Sequence, residues 1–214
     1  MLPTTLFKAF PCEEYARNYV NGKIRFSTLS YYKNIEDDDR SDRTEGSGQL
    51  CRDGEELVVD LTNKVIHSRP GVENLHVAAE GNDHFICCFS SPKDGCIESL
   101  PTKFGEYYVI VHNPAELFSD IESAINCDSS LEQNVPCLEA SAIRYDKGKY
   151  VGSLHDRAEI QKLAWMQKPE SHSEEQEFRF QFQFCFSEFI GSPEHYILEL
   201  GKILEYCEIV KRKS

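Results

Sequence analysis

Long apolar runs are missing from this 214-residue chain. No stretch approaches the ~20 residues that span a bilayer as a helix, so no membrane association is expected. The first residues, Met1-Leu2-Pro3-Thr4-Thr5-Leu6, have neither a positively charged lead nor an apolar centre. They do not read as a secretory signal, and a cytoplasmic location is the expectation. Cys-x-x-C pairs are also missing. The nine cysteines are odd in number and scattered, and no histidine is spaced to complete a zinc set. Neither a disulfide framework nor a metal site is expected; Cys87, Cys88 and Cys185 sit in apolar runs and read as small buried hydrophobes. Basic residues are scarce: 23 lysines and arginines face 36 acids, a net charge of −13. That balance argues against a broad nucleic-acid footprint and against anionic membranes. No Gly-x-Ser-x-Gly, His-Glu-x-x-His or phosphate-loop motif occurs, and there are no internal repeats.

What is present is ordinary globular composition, 40% hydrophobic and 28% charged, at a length that fits one domain over residues 1–214. Leu6 to Phe10 alternates like a strand that Pro11 ends. Glu13 to Asn21 reads as a short amphipathic helix with acids at its start and Asn21-Gly22 at its end. Lys23 to Leu29 reads as a second strand, with Ile24, Phe26 and Thr28 on one face and Arg25, Ser27 and Leu29 on the other. Residues 34–54 are polar and charged, with acids clustered from Glu36 to Glu56, and read as a long loop. Leu57 to Leu61 and Lys64 to His67 suggest a hairpin. Phe85 to Ser90 reads as a buried central strand and Tyr107 to His112 as another. Pro114 opens a helix running to about Asn126. Ala140 to Tyr145 and Lys149 to Val151 suggest a hairpin, Ala158 to Trp165 a helix, and Pro169 to Ser173 a loop. Tyr196 to Leu200 reads as the last strand, with 211–214 a frayed end. Strands outnumber helices, so the fold class is α+β, with mixed, mainly antiparallel sheets and a few helices.

The strongest local pattern lies near the C-terminus. Phe178, Phe180, Phe182, Phe184 and Phe186 alternate with Glu177, Arg179, Gln181, Gln183 and Cys185. The aromatic face anchors a core and leaves a polar face. On an extended backbone Glu175, Glu177 and Arg179 share that polar face. A carboxylate beside an arginine stays ionised and suits accepting from a sugar hydroxyl or steadying a developing cation. The structural alternative is an exposed strand face whose charge pair contributes little. Arg25 and Ser27 supply oxyanion donors, and Tyr31-Tyr32 supplies flat rings for stacking; ordinary core packing is the alternative for these too. Asp42 and Glu45 are the candidate ligands in a metal-dependent nuclease reading, but a magnesium site needs carboxylates converging from several elements, and no Glu-x-Lys follows: Glu177 is followed by Arg179.

Taken in order, these segments resemble a widespread, poorly characterised bacterial and phage family. The segments are Lys8 on a first strand, a helix closing on Asn21-Gly22, Lys23-Ile24-Arg25-Phe26-Ser27 with Tyr31-Tyr32, Asp42-x-x-Glu45-Gly46, Phe85 to Ser90, the Ile143-Arg144-Tyr145 strand, Lys162 to Lys168 and the late Glu-x-Glu-Phe-Arg at Glu175 to Arg179. The order is similar to that of the ADP-ribosyltransferase superfamily. The resemblance implies an ADP-ribosyltransferase-like sheet and NAD as substrate. It implies Glu177 as the catalytic glutamate, Glu175 as its upstream partner, and Tyr31 or Tyr32 lining the nicotinamide pocket. Lys8, Arg25, Ser27 and Arg179 would supply further NAD contacts. The first strand carries Lys8 where the superfamily usually has Arg or His, and the second offers Ser27-Thr28-Leu29-Ser30 rather than Ser-Thr-Ser. An RNA or protein acceptor, an antitoxin or inhibitor partner and a toxin or phage-defence setting follow by the same implication. A non-enzymatic nucleotide- or partner-binding module and a metal-dependent nuclease are the alternatives. Glu177→Gln is expected to abolish NAD-dependent modification while leaving the fold intact.

Overall fold

The computed structural model describes residues 2–33, 47–52, 55–60, 65–70, 75–80, 84–128, 137–146, 162, 165–183 and 194–212. The first strand, β1 (Leu6–Phe10), ends at Pro11 as the alternation implies. Helix α1 (Glu13–Val20) begins with Glu13 and Glu14, which suit the positive end of its dipole, and buries Ala16 and Tyr19. Gly22 then reverses the chain at φ +86°, where a Cβ would stand 2.5 Å from the Lys202 carbonyl oxygen. Gly22→Ala therefore adds both backbone strain and a backbone clash. We expect it to destabilise the protein by about 1–3 kcal/mol, read as a lowered urea midpoint.

Strand β2 (Lys23–Thr28) follows. The Thr28 hydroxyl accepts from the Tyr31 backbone N–H at 3.1 Å, turning the chain at once into the short helix α2 (Leu29–Lys33). Residues 47–80 form two ribbons: β3 (Ser47–Arg52) pairs with β6 (Leu75–Glu80), and β4 (Glu55–Asp60) with β5 (Val65–Pro70). The antiparallel pairing expected of Leu57 to Leu61 with Lys64 to His67 is thus found in β4 and β5, while residues 61–64 lie outside the described residues. The loop expected over 34–54 is not one loop, since Ser47–Arg52 is a strand. Its stretch Ser47-Gly48-Gln49-Leu50 carries no apolar alternation, so its pairing with β6 was not readable locally.

The remaining strands are β7 (His84–Ser90), β8 (Tyr107–Val111), β9 (Glu139–Ala142), β10 (Glu177–Gln183), β11 (His195–Glu199) and β12 (Cys207–Lys211). Between β8 and β9 lies α3 (Pro114–Cys127). The Asn113 side chain accepts from the Glu116 N–H, Pro114 opens the first turn, and Leu117, Ile121 and Ile125 are buried. An eight-stranded, antiparallel sheet runs β11-β2-β7-β1-β8-β12, with β10 on the other edge of β7 and β9 beyond β10. The fold is α+β with a mostly antiparallel sheet. Strand β9 pairs with β10; the hairpin partner expected at Lys149 to Val151 lies outside the described residues, as does most of 158–165. Residues Glu170–Glu175 form a 3-10 helix where a loop was expected. Beyond Leu200 a further strand, β12, pairs with β8 and reaches Lys211, so that end is not frayed there.

One face of the sheet carries the main core: Phe178, Phe180 and Phe182 with Phe26, Phe85, Phe89, Leu6 and Val109, closed by α1 and α3. Phe184 and Phe186 lie outside the described residues. The other face of β10 is not solvated as its polar sequence implies. Arg179 is 1% exposed and Glu177 6%, because α2 and residues 165–168 cover this face.

The sheet forks at β7. One edge of β7 pairs with β10 along its whole length. The other edge is shared: Phe85 and Ile86 pair with β2, while Ser90 pairs with Phe7 of β1. Between these pairings the carbonyl of Cys88 faces a gap, and Lys8 fills it with an Nζ–H bond of 2.9 Å. The Lys8 ammonium also lies 5.1 Å from the Phe89 ring centre and 6.0 Å from those of Phe10 and Tyr19.

Candidate functional site

At the head of β10, beside the fork, the described residues hold their densest group of buried charges. Two Glu177 carboxylate oxygens receive the Arg179 guanidinium, Oε1 from Nε at 2.6 Å and Oε2 from Nη2 at 3.3 Å. Lys168 Nζ lies 2.8 Å from Glu177 Oε2 and 2.8 Å from Glu175 Oε2, so one ammonium clamps both carboxylates. Glu175 also meets His172 Nδ1 at 3.0 Å and Lys103 Nζ at 3.2 Å. The remaining Arg179 fork donates to the Trp165 carbonyl at 2.8 Å. Tyr145 closes one side, its phenolic oxygen accepting from the Glu177 backbone N–H at 2.6 Å.

Local structure explains how residues so far apart in sequence converge. Residues 166–168 are laced to Arg144: the Arg144 N–H donates to the Met166 carbonyl at 2.7 Å, and the Lys168 N–H to the Arg144 carbonyl at 2.9 Å. The Ile143 N–H donates to the Glu177 carbonyl at 2.9 Å, so the same strap docks on β10. Glu175 does not lie on an extended backbone with Glu177. It ends the 3-10 helix, and Gln176 between the two adopts a left-handed conformation at φ 43°. That turn is pinned by the Ser91 N–H on the Gln176 carbonyl at 2.8 Å and the Lys93 N–H on its side-chain oxygen at 3.0 Å. The two carboxylates meet through the turn and Lys168, not through strand periodicity.

Burial pushes the Glu177 carboxyl up, but the adjacent Arg179 and Lys168 more than reverse this and hold it well below the ordinary value of 4.5. Glu175 follows the same pattern: burial opposes, Lys168 wins, and the group is held below 4.5. Both groups bind protons more weakly folded than unfolded. Their stabilisation is complete above 4.5 and is lost as pH falls through the lower folded values. The urea midpoint is expected to hold from neutrality down to about pH 5 and to fall steeply below pH 4. A midpoint unchanged at pH 3 would show that the clamp contributes nothing.

Tyr32 reaches the same region from α2. Burial raises its phenol well above the ordinary value, with Cys88 and Glu177 adding to the rise. The Cys88 thiol contacts Glu177 and is itself raised, first by burial and then by that carboxylate, so it is held as a thiol. Of the residues chosen from sequence, Glu175, Glu177, Arg179 and Tyr32 come together here. Lys8 approaches from the aromatic-core side of the sheet, touching the Cys88 carbonyl. Arg25 and Tyr31 make a separate pair, guanidinium 5.1 Å from the ring centre. Ser27 is buried where β2 pairs with Ile86 and His195. Asp42 and Glu45 lie outside the described residues. Sequence reading gave no site role to Lys168, Lys103, His172, Tyr145 or Cys88, although Cys88, Tyr145 and Lys168 lie in segments that carry the resemblance. A buried lysine has no local signature, and only the crowding of acids at 174–177 hinted that cations must converge there.

The expectation that Glu177→Gln leaves the fold intact does not fit a carboxylate so buried and paired. Its removal strands two cations. No protein-family model matches the chain, and no curated protein or solved structure is significantly similar to it.

Proposed function

We propose that the chain is an ADP-ribosyltransferase-like enzyme that cleaves NAD and passes ADP-ribose to an RNA or protein acceptor. The observation that carries this reading is the pair of ionised glutamates at the fork of the sheet, with Cys88 against Glu177 and Tyr32 packed beside Cys88. Breaking the nicotinamide–ribose bond builds positive charge on the sugar, and a fixed carboxylate stabilises it without reorganising at the moment of reaction. Glu177 accepts from a ribose hydroxyl, which replaces the weak Cys88 thiol contact. Lys168 and Glu175 hold Glu177 in place, and Tyr32 offers a flat face to the nicotinamide. Arg25, Ser27 and Tyr31 would contact the rest of NAD, whereas Lys8, on the aromatic-core face of the sheet, is out of reach of it. A toxin role, with an antitoxin or inhibitor partner, belongs to the same proposal.

The closure of the glutamate cluster favours a second reading, a non-enzymatic module that binds a nucleotide or partner. Every carboxylate oxygen of Glu177 already has a protein donor, as in a cluster kept for architecture. Calorimetric titration with NAD beside a nicotinamide-release assay separates the two. Release above the uncatalysed rate supports the enzyme. Saturable binding without release supports the module, and the absence of both removes NAD from either reading.

A further inference from the structure

The connection from β7 to β8 meets the glutamate turn at both of its ends. At its start Ser91 and Lys93 bond to Gln176. Near its close Lys103 Nζ lies 3.2 Å from Glu175 Oε1 and 3.8 Å from Glu174 Oε1. Lys103 stands on the short 3-10 turn Thr102–Phe104, and Ile97–Ser99 forms another. Such short turns keep their shape only through the contacts around them.

Packing supplies part of that hold. Leu100 is buried against Phe7 and Tyr108, and the Tyr108 hydroxyl donates to the Pro101 carbonyl at 3.1 Å. A second hold comes from the end of the chain. Arg212 donates from Nη1 to the Leu100 carbonyl at 2.6 Å and from Nη2 to the Glu98 carbonyl at 2.9 Å. Its own N–H donates to the Glu106 carbonyl at 2.9 Å, which fixes the residue where β12 stops. The planar guanidinium presents two donors at once, which suits it to grip both carbonyls. The end expected to fray is bonded, at Arg212, to the segment that carries Lys103.

The seat of Lys103 matters because the cluster shares one ammonium between two carboxylates. Lys168 Nζ lies 2.8 Å from Glu175 and 2.8 Å from Glu177. A second cation on Glu175 offsets part of its pull and leaves Lys168 on Glu177. We propose that Arg212 is a positioning residue for the glutamate cluster: by seating residues 97–104 it holds Lys103 against Glu175 and so keeps Lys168 shared with Glu177. This role belongs to the cluster under either reading of its ligand.

The experiment is an acid titration of the Glu175 carboxyl carbon by NMR, assigned with Glu175→Gln. It compares the wild type, Lys103→Met, Arg212→Met and the double variant. Burial and Glu177 oppose ionisation of this carboxyl, Lys168 and His172 favour it, and Lys103, shared with Glu174, is the further cation at Oε1. Lys103→Met is expected to move the midpoint up toward the ordinary 4.5. Arg212→Met keeps the apolar stem, removes the donors and leaves the core clusters untouched. It should move the midpoint at least about half as far, and the double variant should move it no further than Lys103→Met alone. Additive shifts overturn the proposal, since Arg212 then acts by its own charge. So does a midpoint that either single variant leaves in place. The titration reads the carboxyl and not turnover, so a failure to release nicotinamide removes the NAD reading without deciding this one.

Discussion

Glutamine in place of Glu177 is expected to cost stability and turnover together, and the two losses are separable. The substitution leaves Lys168 and Arg179 buried with only Glu175 to balance them, a loss of about 3–5 kcal/mol by the usual penalty for breaking a buried ion pair. If Glu177 stabilises charge on the ribose, nicotinamide release should also fall by about a hundredfold or more. Glu177→Gln combined with Lys168→Gln tells these apart. The double variant removes one cation together with the carboxylate; Arg179 keeps the Trp165 carbonyl, and Glu175 keeps Lys103 and His172 as partners. It should recover much of the urea midpoint lost in the single variant while turnover stays low. Recovery of both would make the cluster architectural. Release undiminished in the single variant, measured on protein shown to be folded by circular dichroism, would end the proposal that Glu177 is catalytic.

The second large effect is in the core. Phe180 is fully buried, with its ring centre 5.0 Å from Phe89, 5.5 Å from Phe118 on α3 and 6.1 Å from Phe178. It joins the central strand to the helix that closes the aromatic layer. Phe180→Ala removes the ring from a site bounded by backbone on one side and aromatic side chains on the other, which cannot collapse to refill it. A loss of about 3–5 kcal/mol is expected, or about 2 M in the urea midpoint at a slope typical of small proteins. Phe180→Leu keeps most of the volume and should lose less than half as much. Equal losses for the two variants would show that the aromatic ring itself, and not the space it fills, is what the site requires.

The sequence made the strands legible where each carries its own pattern. Leu6 to Phe10 and the phenylalanine alternation of β10 announce themselves by period two and Phe85 to Ser90 by a continuous apolar run, signals that depend only on neighbours along the chain. Pro114 after Asn113 marks the start of α3 for the same reason, since a cap is a local device. Pairing partners were not legible. Strand β9 joins β10 across the whole 165–175 segment, and β12, whose Glu208 and Lys211 interrupt its apolar residues, gains strand character only from β8 beside it. The candidate site divides the same way. Glu175, Glu177 and Arg179 were visible as a motif, whereas Lys168 and Tyr145 reach it through the strap at Arg144, a contact that no spacing rule encodes. Burial of the polar face of β10 was misread because alternation reports two faces without saying what covers the second.

The left-handed turn at Gln176 changes what the motif Glu-x-Glu means. Read along a strand, the middle position is a spacer and any residue serves. Read through this turn, it is a steric filter: glycine, asparagine and aspartate fit the positive φ readily, while valine and isoleucine do not. The identity of the silent letter then becomes a diagnostic. Chains that build the same clamp should tolerate Gly or Asn between their glutamates, and chains with a β-branched residue there must present the two carboxylates side by side on one face of a straight strand or bend the backbone by another means.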